Sequence, residues 1–256
     1  MKKITQTMPS LATTFKKNFV LYCCEALGLG IFMFCAGLAD VIIDHPAMPI
    51  HNHIHSALIR RFLIGLLMGL TALYILNSPF GKKSGAHINP SVTIVQYRLG
   101  NITAVNSIFY ILFQFIGGSI GMYLIYFLMP HFLKFPSINY IVTQPSNARV
   151  AIAFVLEFII SFILMITVLY TNTNKQLSMW TAYFVAALIT LFITFEAPYS
   201  GMSMNPARTF ASAIVSGEWK SFWLYCIAPP IGMICGELFV KKILKKDPEH
   251  VTLHND

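Results

Sequence analysis

The chain has 256 residues, of which 56% are hydrophobic and only 11% are charged, and its formal net charge is +8. A soluble domain is about 25% charged, so this composition excludes a water-soluble protein and leaves no room for a large soluble catalytic or nucleotide-binding domain. The positive charge could suit nucleic acid, yet no basic face with interleaved aromatic residues is present, and we expect no nucleic-acid partner. We therefore expect the chain to lie in a lipid bilayer.

Six long apolar stretches follow one another, each close to the ~20 residues that a membrane-spanning helix needs. They run near residues 18–39, 58–78, 103–129, 150–170, 179–197 and 220–240. The first stretch is too long for the apolar part of a cleaved signal peptide, so we expect it to remain as a span. The sequence predicts an all-α, multi-pass protein of the plasma or inner membrane, folded as one domain over 1–256 with short tails at 1–17 and 241–256.

Lysine and arginine are unequally divided between the two sides that these spans define, with twelve residues on one side and six on the other. Cytoplasmic loops are enriched in basic residues, so both termini are predicted to lie in the cytoplasm. The richer side carries Lys2, Lys3, Lys16, Lys17, Lys82, Lys83, Arg98, Lys175, Lys241, Lys242, Lys245 and Lys246.

The chain also repeats itself. Residues 84–93 read SGAHINPSVT and residues 200–209 read SGMSMNPART, with five of ten positions identical at an offset of 116. A weaker echo aligns Gly121 with Gly232 at an offset of 111. Because repeats set the architecture, these matches divide the chain into halves.

Each half contains three spans, over about 18–129 and about 150–240. Three is an odd number, so the second half must enter the membrane from the opposite side, and the sequence predicts an inverted repeat. A carboxylate stands inside the first span of each half, at Glu25 and Glu157.

The two Asn-Pro pairs predict helix starts, because an Asn cap followed by proline at the first helical position is favourable. We expect a short re-entrant half-helix after each pair, with starts at Asn89, Pro90, Ser91, Asn205, Pro206 and Ala207. The two half-helices would meet near the middle of the membrane. Their partly positive N-termini would repel cations there and orient water.

These motifs resemble the signature loops of the aquaporin and aquaglyceroporin (major intrinsic protein) family. The resemblance extends to QFIGG at 114–118 and APPIG at 228–232, and it covers roughly residues 18–240. It implies an aquaporin-like fold of six tilted spans plus two half-helices, a homotetramer with one pore per subunit, and no cofactor. Serine replaces the family's alanine at Ser91; its hydroxyl can bond back to its own half-helix, so we expect little change in the pore.

Arg208 is the one basic residue inside either predicted half-helix, three positions after Asn205. An arginine here could be an interfacial cation that reaches for water. Its match to the arginine of the family's constriction favours a pore position, where it would donate hydrogen bonds to solutes and repel cations.

The resemblance also identifies the neighbours of this arginine. Ile193 stands where water-selective relatives carry a histidine, so the constriction is predicted to be less polar. Either Met68 or Gly69 of the second span faces the constriction, depending on how the loop between this span and the first Asn-Pro motif is counted. Met202 and Ser203 complete the set of residues around the constriction.

Thr209 and Ala213 depart from the markers of glycerol facilitators, which carry an acidic and a basic residue at these positions. We therefore expect a passive water pore that excludes protons and ions, with small neutral solutes such as glycerol, ammonia or dissolved gases as further candidates.

Other interpretations remain open at this point. Glu25 and Glu157 could hold the re-entrant loops, or they could couple protons in a secondary transporter of a small solute. His87 is either a pore histidine or an ordinary loop histidine. The histidines at 45, 51, 53 and 55 lack supporting Cys or carboxylate spacing, so no metal is expected. No catalytic constellation is present in the spans, and we expect no enzyme activity.

Overall fold

The computed structural model describes residues 11–146 and 149–244. In these ranges the chain forms α-helices and short 3-10 turns, without a β-strand. The helices are α1 (Leu11–Asp44), α2 (Pro49–His53), α3 (Ala57–Asn77), α4 (Pro79–Ser84), α5 (Pro90–Arg98), α6 (Ala104–Leu128), α7 (Pro130–Leu133), α8 (Val150–Asn172), α9 (Thr181–Phe195), α10 (Ala197–Ser200), α11 (Pro206–Ser216) and α12 (Phe222–Lys242). Four of the basic residues used to predict orientation, Lys2, Lys3, Lys245 and Lys246, lie outside the described residues.

Six of the described helices are long and apolar enough to cross a membrane, which confirms the predicted number of spans. They are α1, α3, α6, α8, α12, and α9 together with the turn that precedes it. α1 begins at Leu11, inside the predicted N-terminal tail. Residues 11–17 contain no Gly or Pro that would end a helix. The ring of Phe15 also packs against Phe109 of α6 at a centroid distance of 5.0 Å, which stabilises this extension of the helix.

The packing of the spans follows the inverted repeat. In the first half α1 packs along α6, and in the second half α8 packs along α12 in the corresponding way. The contact between α3 and α9 joins the two halves.

Glycines allow the paired spans to approach closely. A Cβ atom on Gly117 would lie 2.0 Å from the carbonyl oxygen of Ala26, and one on Gly232 would lie 2.4 Å from that of Phe158. Each contacted residue directly follows the buried glutamate of its span. By their backbone contacts, Gly232 of the second half is therefore equivalent to Gly117 of the first. The sequence echo had aligned Gly232 with Gly121, which lies one helical turn further along α6.

The half-helices α5 and α11 pack across the repeat. α5 lies against α12 of the second half, whereas α11 lies against α6 of the first, and the two half-helices also contact each other. Each repeat thus supplies a half-helix to the other.

Candidate functional site

A cavity of about 470 Å³ lies between α1, α3, α8, α9 and the two loops that precede α5 and α11. It brings together most of the residues predicted from sequence, namely Met68, His87, Asn89, Ile193, Met202, Ser203, Asn205 and Arg208. The remaining predicted residues do not line it but are buried behind it: Glu25, Gly69, Pro90, Ser91, Glu157, Pro206 and Ala207.

The two loops share one backbone conformation. Ile88 and Met204, each directly before its Asn, have positive φ angles of 40° and 52°. Ala86 and Met202 also have positive φ angles, of 43° and 47°. Left-handed conformations are unfavourable for residues with a Cβ, so their recurrence at the same offset of the repeat indicates that surrounding contacts impose this path.

The asparagines cap the half-helices and join them. The Oδ1 atom of Asn89 accepts from the N–H of Ser91 at 2.8 Å, and that of Asn205 accepts from Ala207 at 3.0 Å. Across the repeat, Nδ2 of Asn89 donates to the carbonyl oxygen of Met204 at 2.8 Å, and Nδ2 of Asn205 donates to that of Ile88 at 2.8 Å. The two helix N-termini therefore meet in the cavity wall, where their partial positive charges add.

Glu25 holds the first loop from behind. Its carboxylate accepts from the N–H groups of His87 and Ile88 at 3.0 and 2.6 Å, from the Ser84 hydroxyl at 2.7 Å, and from the Gln114 amide at 2.7 Å. The side chain is completely buried.

Glu157 holds the second loop in the same way. It accepts from the N–H groups of Ser203 and Met204 and from the Ser200 hydroxyl, each at 2.7 Å. It too is completely buried and lies outside the cavity lining. Both carboxylates thus satisfy loop backbone groups that have no water at this depth.

Arg208 enters the cavity from the first turn of α11. Contrary to the prediction, it is not the one basic residue of the two half-helices, because α5 extends to Arg98. One terminal nitrogen of its guanidinium group donates to the carbonyl oxygen of Ile141 at 2.8 Å, which fixes the side chain to the turn Asn139–Ile141. A guanidinium group has five N–H donors, so most of its donors remain available to the cavity.

The neighbours predicted for Arg208 include two apolar side chains. Ile193 of α9 and Met68 of α3 both line the cavity. Gly69 instead faces α9, since a Cβ there would lie 2.5 Å from the hydroxyl oxygen of Thr190. Met68, and not Gly69, therefore contributes to the cavity wall.

His87 lines the cavity but is 9% exposed. Its Nδ1 atom lies 3.2 Å from the hydroxyl of Thr93, and its ring packs on Tyr110 at a centroid distance of 5.1 Å. The histidine is thus held by its neighbours and presents only an edge to the cavity.

The prediction for the Ser91 hydroxyl is wrong. This hydroxyl is completely buried and has no hydrogen-bond partner among the described residues. Thr93 bonds back to the carbonyl of Asn89 instead, at 3.1 Å. The first-turn position of Ser91 explains the difference, because no preceding helical carbonyl lies within its reach.

Sequence reasoning missed three charged residues of the cavity, Asp40, Asp44 and Arg61. Their signal was available: Asp40 lies four residues before Asp44 at the end of an apolar span, and a carboxylate inside a span is costly unless it has a function. Arg61 is fixed by a hydrogen bond from its Nε atom to the carbonyl of Thr194 at 3.2 Å.

The loop histidines do not form a metal-binding cluster among the described residues. The ring of His45 packs between Phe132 and Phe135, and its Nδ1 atom accepts from the N–H of Ala47 at 3.1 Å. Over the ranges 11–146 and 149–244, no group of three or more potential metal ligands is found.

Residues 13–240 match the family described as "Major intrinsic protein". Curated relatives include Aquaporin-4 of Bos taurus, 33% identical over 177 residues that cover 67% of this chain and 53% of the relative. Another is Aquaporin NIP3-1 of Arabidopsis thaliana, 33% identical over 177 residues, 68% of this chain and 54% of the relative. The chain spans about half the length of these relatives.

A solved structure, titled "X-ray structure of the aquaglyceroporin from Plasmodium falciparum", is similar with a TM-score of 0.74. The similarity covers 88% of this chain and 96% of that chain at 20% sequence identity. At this identity the likeness establishes the fold, and the predicted arrangement of six spans and two half-helices is confirmed.

Proposed function

Since the chain belongs to the major intrinsic protein family, we propose that it is a passive membrane channel for water that also admits small neutral solutes. One observation carries the proposal: two half-helix N-termini meet in one cavity and are joined by the reciprocal bonds of Asn89 and Asn205. This arrangement suits a solute that can accept hydrogen bonds from the Asn amides, and it disfavours cations.

Proton exclusion follows from the same two residues. Each Asn Nδ2 donates one hydrogen to a loop carbonyl, and its second hydrogen remains for a passing water. A water that accepts from both amides points its own hydrogens away from the centre, so a continuous proton wire is broken. Arg208 adds a fixed positive charge on the outer side.

The solute range depends on the wall opposite Arg208. Ile193 and Met68 give this wall no hydrogen-bonding group, so water is not favoured over the carbon skeleton of a small polar solute. We therefore include small neutral solutes such as glycerol, ammonia and dissolved gases beside water.

A coupled transporter is the weaker candidate. Glu25 and Glu157 are both engaged with loop N–H groups and are absent from the cavity lining. A carboxylate that must load and release protons needs access to the solute path, which neither has.

The proposal also covers the orientation, domain organisation and assembly of the chain. Both termini lie in the cytoplasm, the chain is one domain of the plasma or inner membrane, and four copies assemble with one pore each. The larger share of basic residues on the terminal side supports this orientation, and the family resemblance supports the tetramer. Transport needs neither catalysis nor a cofactor, and no nucleic acid takes part.

The test is stopped-flow light scattering on proteoliposomes that contain the full chain. We expect an osmotic water permeability well above that of empty vesicles. Ala36 lines the cavity, so Ala36→Trp should lower the permeability to the empty-vesicle level, whereas Ile108→Trp on an exposed outer face of α6 should not. A wild-type permeability equal to that of empty vesicles would refute the channel.

A further inference from the structure

Asp40 places a carboxylate on the wall of the cavity. One stripe of α1 lines this wall at helical spacing, and its members are Leu29, Phe32, Ala36, Asp40 and Asp44. The first three members are apolar, and the last two are acidic. Both acidic residues line the same cavity as Arg61 and Arg208.

The other charged groups of this region already have partners. Asp44 accepts from Nε of Arg60 at 2.5 Å, and Arg61 donates to the Thr194 carbonyl. Asp40, by contrast, has neither a hydrogen bond nor an ion pair among the described residues. Asp40 is half-buried and lines the cavity, so its acceptor sites are open to a molecule in the cavity.

Two charged groups act on Asp40, the guanidinium group of Arg208 and the carboxylate of Asp44. Arg208 and Asp40 carry opposite charges and line the same cavity, yet they form no direct ion pair. The guanidinium group is fixed toward Ile141 by its bond to that carbonyl. A free acceptor and free donors therefore face one cavity with space between them.

The Asp40 carboxylate and the Arg208 guanidinium group together suit a solute that both donates and accepts hydrogen bonds. A neutral solute with hydroxyl or amide hydrogens can donate to the carboxylate and, through its oxygen atoms, accept from the guanidinium group. Its carbon atoms would contact the apolar wall of Ile193 and Met68. An ion of either sign would meet one like charge in this region, which disfavours it.

We propose that Asp40 is a specificity-determining residue that, with Arg208, binds small neutral solutes carrying both hydroxyl or amide hydrogens and acceptor oxygens, with polyols as the leading class. This inference rests on the proposed channel function and narrows it. It assigns a selective role to a residue outside the two Asn-Pro loops.

The experiment compares water and glycerol permeability of proteoliposomes that contain wild type, Asp40→Asn, Asp40→Glu or Glu218→Gln. Exchanging a charged acceptor for a neutral one weakens a hydrogen bond, so glycerol permeability of Asp40→Asn should fall roughly fivefold while water permeability stays within about twofold. Asp40→Glu keeps the carboxylate and should retain at least half of the glycerol permeability. Glu218→Gln removes an exposed charge away from the cavity and should change neither.

A second measurement needs no variant and applies even if Asp40→Asn does not fold. A binding site predicts that the glycerol flux of the wild type saturates as glycerol rises from millimolar to molar concentration, and that urea competes with it. A strictly linear flux without competition would overturn the inference.

The remaining outcomes separate this inference from the channel itself. If Asp40→Asn lowers water and glycerol together, leaves both unchanged, or only opens a chloride leak, Asp40 is not a specificity residue. A wild type that conducts water but neither glycerol nor urea overturns the inference and leaves the channel standing. A wild type that conducts none of these solutes refutes both.

Discussion

Nε of Arg98, in the last turn of the first half-helix, donates to a carboxylate oxygen of Glu237 in α12 at 2.7 Å. The Glu237 side chain is only 3% exposed, whereas that of Arg98 is 39% exposed. The pair therefore ties the C-terminal end of α5, a helix of the first repeat, to the last span of the second.

This pair gives the first prediction. Arg98→Ala should lower the free energy of unfolding more than Glu237→Gln does. Arg98→Ala leaves the buried carboxylate of Glu237 with only Lys241 as an ion-pair partner, at 3.8 Å. In Glu237→Gln, by contrast, the guanidinium group of Arg98 can reach water. We expect a cost of about 2 kcal/mol for Arg98→Ala and about 1 kcal/mol for Glu237→Gln. Thermal unfolding of the purified variants in detergent measures both, and the reverse order would contradict this explanation.

The second prediction concerns the wall opposite Arg208. Ile193→His places a hydrogen-bonding ring where the wild type has an apolar aliphatic side chain, which narrows the constriction and favours water over carbon-bearing solutes. Glycerol flux should be suppressed while water flux persists, as measured by stopped-flow light scattering. Glycerol flux that stays at the wild-type level would remove Ile193 from the account of selectivity.

The third prediction distinguishes a loop-holding glutamate from a transport residue. Glu157→Gln replaces an acceptor of three hydrogen bonds by an amide whose nitrogen cannot accept them, so the folded state should lose roughly 2 kcal/mol or more. Folded yield and melting temperature should fall. Solute flux through the remaining folded protein should still be independent of a proton gradient; a gradient-dependent flux in the wild type that this variant abolishes would favour a transporter.

Helix approach at neighbouring glycines gives the fourth prediction. Gly117→Ala forces its Cβ into the backbone of Ala26 at 2.0 Å and should prevent α1 and α6 from pairing. Gly118→Ala is the matched control, because its Cβ would meet only side-chain atoms, the nearest of them on Leu29 at 3.1 Å, and these can shift. Expression and size-exclusion profiles should separate the two; equal behaviour would contradict the proposed close contact.

Glu196 follows the end of α9, outside the spans, and supports the fifth prediction. Burial, with a smaller contribution from the charge of Glu157, raises the pKa of Glu196 to about 8. Neither carboxylate oxygen has a hydrogen-bond partner among the described residues, since the nearby Ser200 hydroxyl donates to Glu157.

The folded state therefore holds the Glu196 proton more tightly than the unfolded chain, whose pKa is near 4.5. Between these two values the folded state binds more protons, so its stability falls as the pH rises, and the loss is complete above the folded pKa. Glu196→Gln should flatten this decline and melt at a higher temperature than wild type above pH 8, with little difference at acidic pH. Identical profiles for wild type and variant across this range would refute the assignment, and Glu218→Gln serves as the exposed control.

The spans and the inverted repeat were predictable because their signals are local. A run of apolar residues marks a span regardless of its neighbours, and an Asn-Pro pair starts a helix through its own cap. The roles assigned to Asn89 and Asn205 followed from these local rules together with the odd number of spans.

Features that depend on rotation about a helix axis were harder to predict. The choice between Met68 and Gly69 required the direction of α3 relative to α9, which no count along a loop provides. The alignment of Gly232 with Gly117 required the backbone contacts, and Asp40 was overlooked because a carboxylate near the end of a span resembles an interfacial charge. Ser91 shows that a plausible local bond needs a carbonyl within reach.

The reciprocal bonds between the two loops also set an order of events during synthesis. Asn89 donates to the carbonyl of Met204, a residue made 115 positions later. α5 packs both on α6 of its own repeat and on α12, the last of the described spans. The first half-helix can therefore gain part of its native packing from the early spans, but the rest of it only after α12 has been made. A chain that stops before Asn205 consequently lacks one of the two half-helices that meet in the cavity wall, together with both reciprocal bonds.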